Sequence, residues 1–352
     1  MTAKRPTLGY LIGSIAALSF GVSAPVSKRL LDDIGPQLLA GILYAGAFAL
    51  MLIAVVARRS DTREARLQRA DAPRLAGLVV FGGIVAPVLL LFGLQRVTGV
   101  VGSLLLNLEG PFTVVIGVLI FREHLGRRTA IGAIVLFVGG AIVSAPFGSA
   151  GTVDVLGVLL IVGACVCWGI DNNLTQSLSL RDPYRLVLVK AGVAAATNVT
   201  IAAARGESVE GAGVVLIALA VGAVSYGISV LLDAYALRML GAVREAAIFA
   251  TAPFAGAIVA IPLLDESLSW LQVLAMVGMA AGVLALIFED HAHRHEHETP
   301  THEHRHVHDE HHQHDHEPVS DAREPHSHQH RHEQLAHSHA HTSDIHHRHP
   351  HD

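Results

Sequence analysis

Between residues 11 and 289 the chain holds ten apolar stretches with very little polar sequence between them. Lipid offers no partner for an unpaired backbone N–H or C=O. A chain of this pattern therefore has to cross a membrane as a bundle of helices that satisfy their own hydrogen bonds. A soluble protein of this length would alternate apolar and charged positions, whereas here the charges gather between the apolar runs. The end of the chain has an unrelated composition. Residues 291–352 carry 23 of the 24 histidines, with 5 Arg against 12 Asp and Glu, and residues 1–290 carry 20 Lys and Arg against 18 Asp and Glu. The body is thus close to neutral and the tail is acidic whenever its histidines are neutral.

The runs predict helices over 8–28, 36–57, 74–95, 100–121, 129–146, 155–177, 185–204, 212–236, 243–263 and 270–288. Each is near the ~20 residues that span a hydrocarbon core. The first follows Lys4 and Arg5 as a signal peptide would, but it continues past Pro25 and many similar runs follow, so it reads as a membrane helix that stays. Cys165 and Cys167 lie in one run at a spacing that points them to nearly opposite sides of a helix, and they read as small buried residues rather than a disulfide framework. Fifteen Lys and Arg fall on one side of the alternating spans, from Lys4 and Arg5 through the 58–74 link to Arg238 and Arg244; four, Lys28, Arg29, Arg96 and Arg205, fall on the other. This bias places the amino terminus in the cytoplasm and, after ten spans, the carboxyl terminus with it.

The body repeats itself. Ala17-Leu18-Ser19-Phe20-Gly21-Val22-Ser23 matches Cys165-Val166-Cys167-Trp168-Gly169-Ile170-Asp171. Gly99 precedes Pro111-Phe112 by the same interval that separates Gly241 from Pro253-Phe254. Phe121-Arg122-Glu123-His124-Leu125 matches Leu264-Asp265-Glu266-Ser267-Leu268. The expected fold is all-α and integral to the membrane: ten transmembrane helices as two five-helix repeats, 8–146 and 155–288, followed by a disordered His-rich tail, 291–352. An odd number of spans per repeat makes the copies inverted, a recurring build of secondary transporters with the substrate site between the halves. The aromatic-Gly of the first helix, the Pro of the fourth and the Glu-x-Leu after it, each present twice and in order, resemble the EamA-type domain of the drug/metabolite transporter superfamily. That resemblance covers about 8–288. It implies a ten-helix carrier with both termini inside, and its substrates across such carriers include amino acids, other metabolites and drugs.

Ionisable groups at membrane depth are costly and normally face a cavity or a partner. Asp171, Asn172 and Asn173, just after Trp168-Gly169, cannot all face lipid. They suit a cation, a substrate amine or a coupling proton, or else a hydrogen-bonded contact between helices. Asn107 and Glu109 precede Gly110-Pro111, where proline removes a donor and frees a carbonyl; the matching half has Thr251-Ala252-Pro253 and no acid. Lys190 either snorkels to the cytoplasmic interface or serves the site. Asp233 either pairs with Arg238 or faces the cavity. Glu123 and Asp265-Glu266 lie at helix ends, where their place in the repeat suggests a structural or gating role at the rim rather than a substrate contact. Trp168, Tyr44, Tyr226 and Phe254 are candidate cavity aromatics, and Gly278-x-x-x-Gly282 predicts close helix packing. The substrate-binding set expected is therefore Asp171, Asn172, Asn173, Asn107, Glu109, Asp233 and Trp168. No Gly-rich phosphate loop with its Lys-Ser/Thr is present, so we expect a carrier and no enzyme, driven by an ion gradient or exchange.

The tail spaces histidines by two, as in His291-Ala292-His293-Arg294-His295, His302-Glu303-His304-Arg305-His306 and His326-Ser327-His328-Gln329-His330. Neutral imidazoles so spaced suit Zn, Ni or Co, with His293, His295, His304, His306, His328 and His330 as representative ligands of many interchangeable weak sites. The tail has too little apolar content to order itself without metal. No cofactor is required by the body. The partners expected are the lipid bilayer and a small-molecule or metal-ion substrate, with no nucleic acid. The leading reading is a secondary transporter in the plasma membrane that exports a metabolite or drug by alternating access. The alternatives are a divalent-metal exporter fed by the tail and a metal-responsive membrane sensor.

Overall fold

A computed structural model describes residues 5–58, 65, 67–121, 126–145, 154–178, 181–240, 242–287 and four tail segments. Ten helical rods run through the described body: α1 (Thr7–Leu30), α2 (Pro36–Ala57), α3 (Arg69–Leu94), α4 (Gly99–Ile120), α5 (Arg127–Val143), α6 (Val155–Ser177), α7 (Pro183–Ala204), α8 (Ala212–Ala236), α9 (Arg244–Leu264) and α10 (Trp270–Ile287). Local chemistry sets several of their starts. Pro36 and Pro183 stand in the first turn of α2 and α7, where the missing N–H is no loss. The side chains of Thr98, Asp154 and Asp182 accept from the amides of Val101, Gly157 and Tyr184 and so cap α4, α6 and α7.

Eight rods are long and apolar enough to cross a membrane, and α5 and α10 are shorter. With 17 residues, α5 reaches about 26 Å at ~1.5 Å per residue, a few ångströms short of a ~30 Å core. Leu119, Ile53, Leu216 and Trp270 are exposed on the outside, while Leu39, Leu43, Leu94, Leu104, Ala40 and Ala47 are fully buried between rods. Large apolar side chains turned outward along several helices mark a surface solvated by lipid rather than water.

The pairing of rods comes in matched sets. α1 packs on α8 as α6 packs on α3; α2 packs on α8 as α7 on α3; α1 packs on α9 as α6 on α4. Three further pairs join equivalent rods: α2 with α7, α4 with α9, α5 with α10. Irregularities match too. The third rod of each set contains a π-helical segment, Val79–Val85 in α3 and Gly222–Ile228 in α8. The fourth rod of each is interrupted just before its proline, by a 3-10 turn at Leu106–Leu108 and by the break between Phe249 and Ala252. The glycine pair expected to pack closely does so at one end only. A Cβ on Gly282 would stand 3.0 Å from Val135 of α5 and 3.1 Å from the Gly132 carbonyl, whereas one on Gly278 would meet nothing within 4 Å.

The described segments of the tail are extended: β1 (His291–Glu296), β2 (Thr301–His306), β3 (His326–Arg331) and β4 (Ala336–His341). β1 pairs antiparallel with β4, and β2 with β3. The physical reason is the strict alternation at period two, which is the period of a strand. A two-stranded ladder by itself is marginal in water.

Candidate functional site

The polar groups inside the body gather around one irregular stretch of backbone. In a π-helical turn the wider hydrogen-bonded ring leaves carbonyls turned outward, and such turns recur at functional positions. In α3 the carbonyl of Gly82 accepts from the Tyr44 hydroxyl of α2 at 2.7 Å and from Trp168 Nε1 of α6 at 3.3 Å. Gly83 next to it accepts from Asn198 Nδ2, whose Oδ1 accepts in turn from Gln37 Nε2 at 2.8 Å. The Asp171 carboxylate lies against Gly82 so closely that a Cβ there would stand 2.2 Å from its Cγ. Here glycine is needed for space, so the side chains of three rods can converge on bare backbone.

Asp171 is buried, and its Oδ2 accepts from Lys190 Nζ of α7 at 2.6 Å. Its Oδ1 is buried with no hydrogen-bond partner among the described residues. Lys190 therefore does not reach for the interface, the first of the two roles open to it in the sequence; it holds the charge of Asp171. The next residue, Asn172, is exposed, and its Nδ2 donates to Glu109 Oε1 of α4 at 2.8 Å and to Thr113 Oγ1 at 3.2 Å. Thr113 itself donates to the Glu109 carbonyl one turn back. Asn173 turns the other way and donates to the Thr113 and Gly169 carbonyls, a contact that fastens α6 to α4. The charges of Asp171, Lys190 and Asp233 all act on Glu109, which places four ionisable groups from α4, α6, α7 and α8 within electrostatic reach of one another.

The Arg238 side chain, a partner open to Asp233 in the sequence, lies outside the described residues. The Asp233 carboxyl lies close to the Glu245 carboxyl of α9. Asn107 is buried and donates to the Leu104 carbonyl within its own chain turn, so the structure does not bring it to the acids. The sequence had not singled out Glu245, Gly82 or Thr113. Glu245 lies in a short segment flanked by Arg244, where a charge at a helix start attracts no notice. Gly82 is one of 33 glycines.

An aromatic wall stands beside this cluster. Phe20 of α1 packs edge-on against Tyr226 and lies 5.3 Å from Phe249, and Tyr226 lies 5.4 Å from Tyr44. The arrangement combines one unsatisfied carboxylate oxygen, an ion pair, an amide and carboxylate reachable from outside the core, and aromatic faces.

The tail histidines named above lie on the paired strands. His304 stands opposite His328 and His302 opposite His330, while His293 and His295 stand opposite His339 and His337. Among the described side chains no group of three or more His, Cys, Asp or Glu is arranged to hold a metal ion; the tail's side chains are outside that set. Glu123 also lies outside the described residues.

Comparison with known proteins agrees with the repeat. The model of the EamA-like transporter family matches residues 7–145 and again residues 155–288. An uncharacterized transporter of Methanothermobacter thermautotrophicus is 32% identical over 298 residues, covering 80% of this chain and 87% of that protein. An uncharacterized transporter of Archaeoglobus fulgidus is 21% identical over 169 residues, 48% of this chain and 58% of that protein. One crystal structure shares the fold at a TM-score of 0.61 and 17% identity, covering 80% of this chain and 98% of its own.

Proposed function

This chain belongs to the EamA-like transporter family, and on that premise we propose that it exports a small metabolite or drug across the plasma membrane by alternating access between two oppositely oriented repeats. The observation that carries the reading is the bridge from Glu109 of the first repeat to Asn172 of the second, with the Asp171–Lys190 pair beside it. Polar side chains from both repeats meet at membrane depth where burial is costly and where a solute would pass. The matched rod pairings support opposite orientation, because an odd number of spans separates equivalent rods. The bias of Lys and Arg supports cytoplasmic termini.

The test is growth of a strain lacking the gene, complemented with wild type, Asp171→Asn or Glu109→Gln, on a panel of amino acids, toxic analogues, Ni, Co and Zn. Wild type restores tolerance to at least one organic solute, and both variants lose it while reaching the membrane in normal amount. If Asp171→Asn transports as well as wild type, the assignment of Asp171 fails.

A second reading is export of a divalent transition metal collected by the tail. The in-register histidine pairs favour it. The oxygen and amide groups in the body weigh against it, because Ni and Zn prefer nitrogen and sulfur donors. A metal-responsive sensor in which the tail acts alone is the remaining alternative. Loss of metal tolerance on removal of 291–352, with organic transport retained, makes the tail a buffer or regulator.

A further inference from the structure

At the rim opposite the amino terminus, one carboxylate closes the start of α4. Glu266, in the link from α9 to α10, accepts from the Gly99 amide through Oε1 at 2.6 Å and from the Val100 amide through Oε2 at 2.8 Å. A helix leaves its first amides without internal partners, and bonds from them to a carboxylate are charge-assisted and reinforced by the helix dipole. The two partners come from different repeats: α4 from the first, Glu266 from the second.

Other contacts converge on the same place. Lys28 at the end of α1 lies where its charge acts on Glu266, and its Nζ donates to the Leu94 carbonyl at the end of α3, 2.7 Å away. Leu264 presses on Gly99 so that a Cβ there would stand 2.4 Å from it. Asp265 ends α9 in the left-handed region at φ 51°, a conformation that side-chain-bearing residues adopt only against a steric cost. That turn delivers Glu266 to the α4 amides. Leu268, two residues on, packs on the main core. The Glu-x-Leu of the second repeat thus has a physical role: the leucine seats the link and the glutamate ties it to the other repeat.

We propose that Glu266 is a latch that holds this rim shut, and that the repeats part there only when its carboxylate leaves the amides of Gly99 and Val100. The proposal rests on the alternating-access reading. Its test needs no solute, so the two can fail separately.

The full chain, with Cys165 and Cys167 replaced by alanine, is spin-labelled at Gln95→Cys and Ser267→Cys in lipid nanodiscs, and the distance between labels is measured by pulsed electron resonance. Both positions are exposed, one on each side of the latch. The latched protein gives one dominant distance. Glu266→Ala raises a longer-distance population about tenfold, the shift expected from losing a charge-assisted hydrogen bond. Glu266→Gln, which keeps a carbonyl acceptor, falls between the two and serves if the alanine variant does not fold. Gln272→Ala, which removes the cap on the Ser269 amide in the same link without touching α4, stays as wild type. A wild-type distribution in both Glu266 variants, or equal opening in Gln272→Ala, overturns the proposal.

Discussion

Lys190 Nζ stands 2.6 Å from Asp171 Oδ2, with side chains 18% and 7% exposed. The pair joins α6 to α7 against the bare backbone of Gly82. Two charges withdrawn from water offset their desolvation only as a pair, and removing one leaves the other stranded. Lys190→Met should therefore destabilise the protein by about 3–5 kcal/mol. Asp171→Leu combined with Lys190→Met should recover much of that loss, because no unpaired charge remains. Thermal unfolding of the two single variants and the double variant in one detergent closes the cycle. A double variant as unstable as the sum of the singles would mean that the pair does not act as a unit.

Gly82 makes a sharper probe of the same place. A Cβ would fall 2.2 Å from Asp171 Cγ and about as close to both carboxylate oxygens, so Gly82→Ala must push the carboxylate off Lys190 or shift α3. Overpacking of this kind costs about 1–3 kcal/mol. Gly278→Ala, where nothing lies within 4 Å, should be neutral or stabilise by up to about 1 kcal/mol through helix propensity. The melting temperature of Gly82→Ala should fall while that of Gly278→Ala holds or rises, and only Gly82→Ala should impair transport.

Asp171 and Lys190 differ in how far the sequence alone revealed them. Asp171 was legible because a charge inside a long apolar run has few structural explanations. Its partner was not, since Lys190 sits near a helix start, where lysine commonly reaches for the interface. The two are joined only by the way α6 and α7 pack. The repeat was legible because each motif occurs twice in the same order. The π-helical turns in α3 and α8 were not, because they leave the apolar pattern intact and change only which carbonyls are free. The bond of Asn107 to its own chain was not legible either, because it depends on the 3-10 turn at Leu106–Leu108.

Outside the membrane, Asp154 at the start of α6 gives a pH dependence with a definite sign. The Gly157 amide first, and then the Arg96 guanidinium, hold its carboxyl below the ordinary carboxylate range. The folded value is the lower one, so the contribution is fully present above the unfolded value of about 3.9 and is lost as pH falls through the folded value. The difference in melting temperature between wild type and Asp154→Ala should be constant from about pH 7 to pH 5 and shrink only below about pH 4. A difference that changes instead near neutrality would assign the effect to another group.

The tail yields the prediction that separates cargo from regulator. His302, His304 and His306 of β2 face His330, His328 and His326 of β3 in register, so the backbone brings together histidines distant in sequence. Directly opposed positions in an antiparallel pair have Cβ atoms about 4.5–5.5 Å apart. Imidazole binds metal only when neutral, and its ordinary pKa is about 6.5. Ni or Zn binding by the whole protein, followed by calorimetry, should therefore be strong at about pH 7.5 and fall steeply below about pH 6. It should vanish when residues 291–352 are removed. If the polar cluster around Asp171 carries an organic solute, efflux of that solute should survive the same truncation, since the cluster's described contacts all lie within the body. Loss of organic efflux with the tail would tie the tail to transport itself, and metal binding undiminished by truncation would move the metal site into the body.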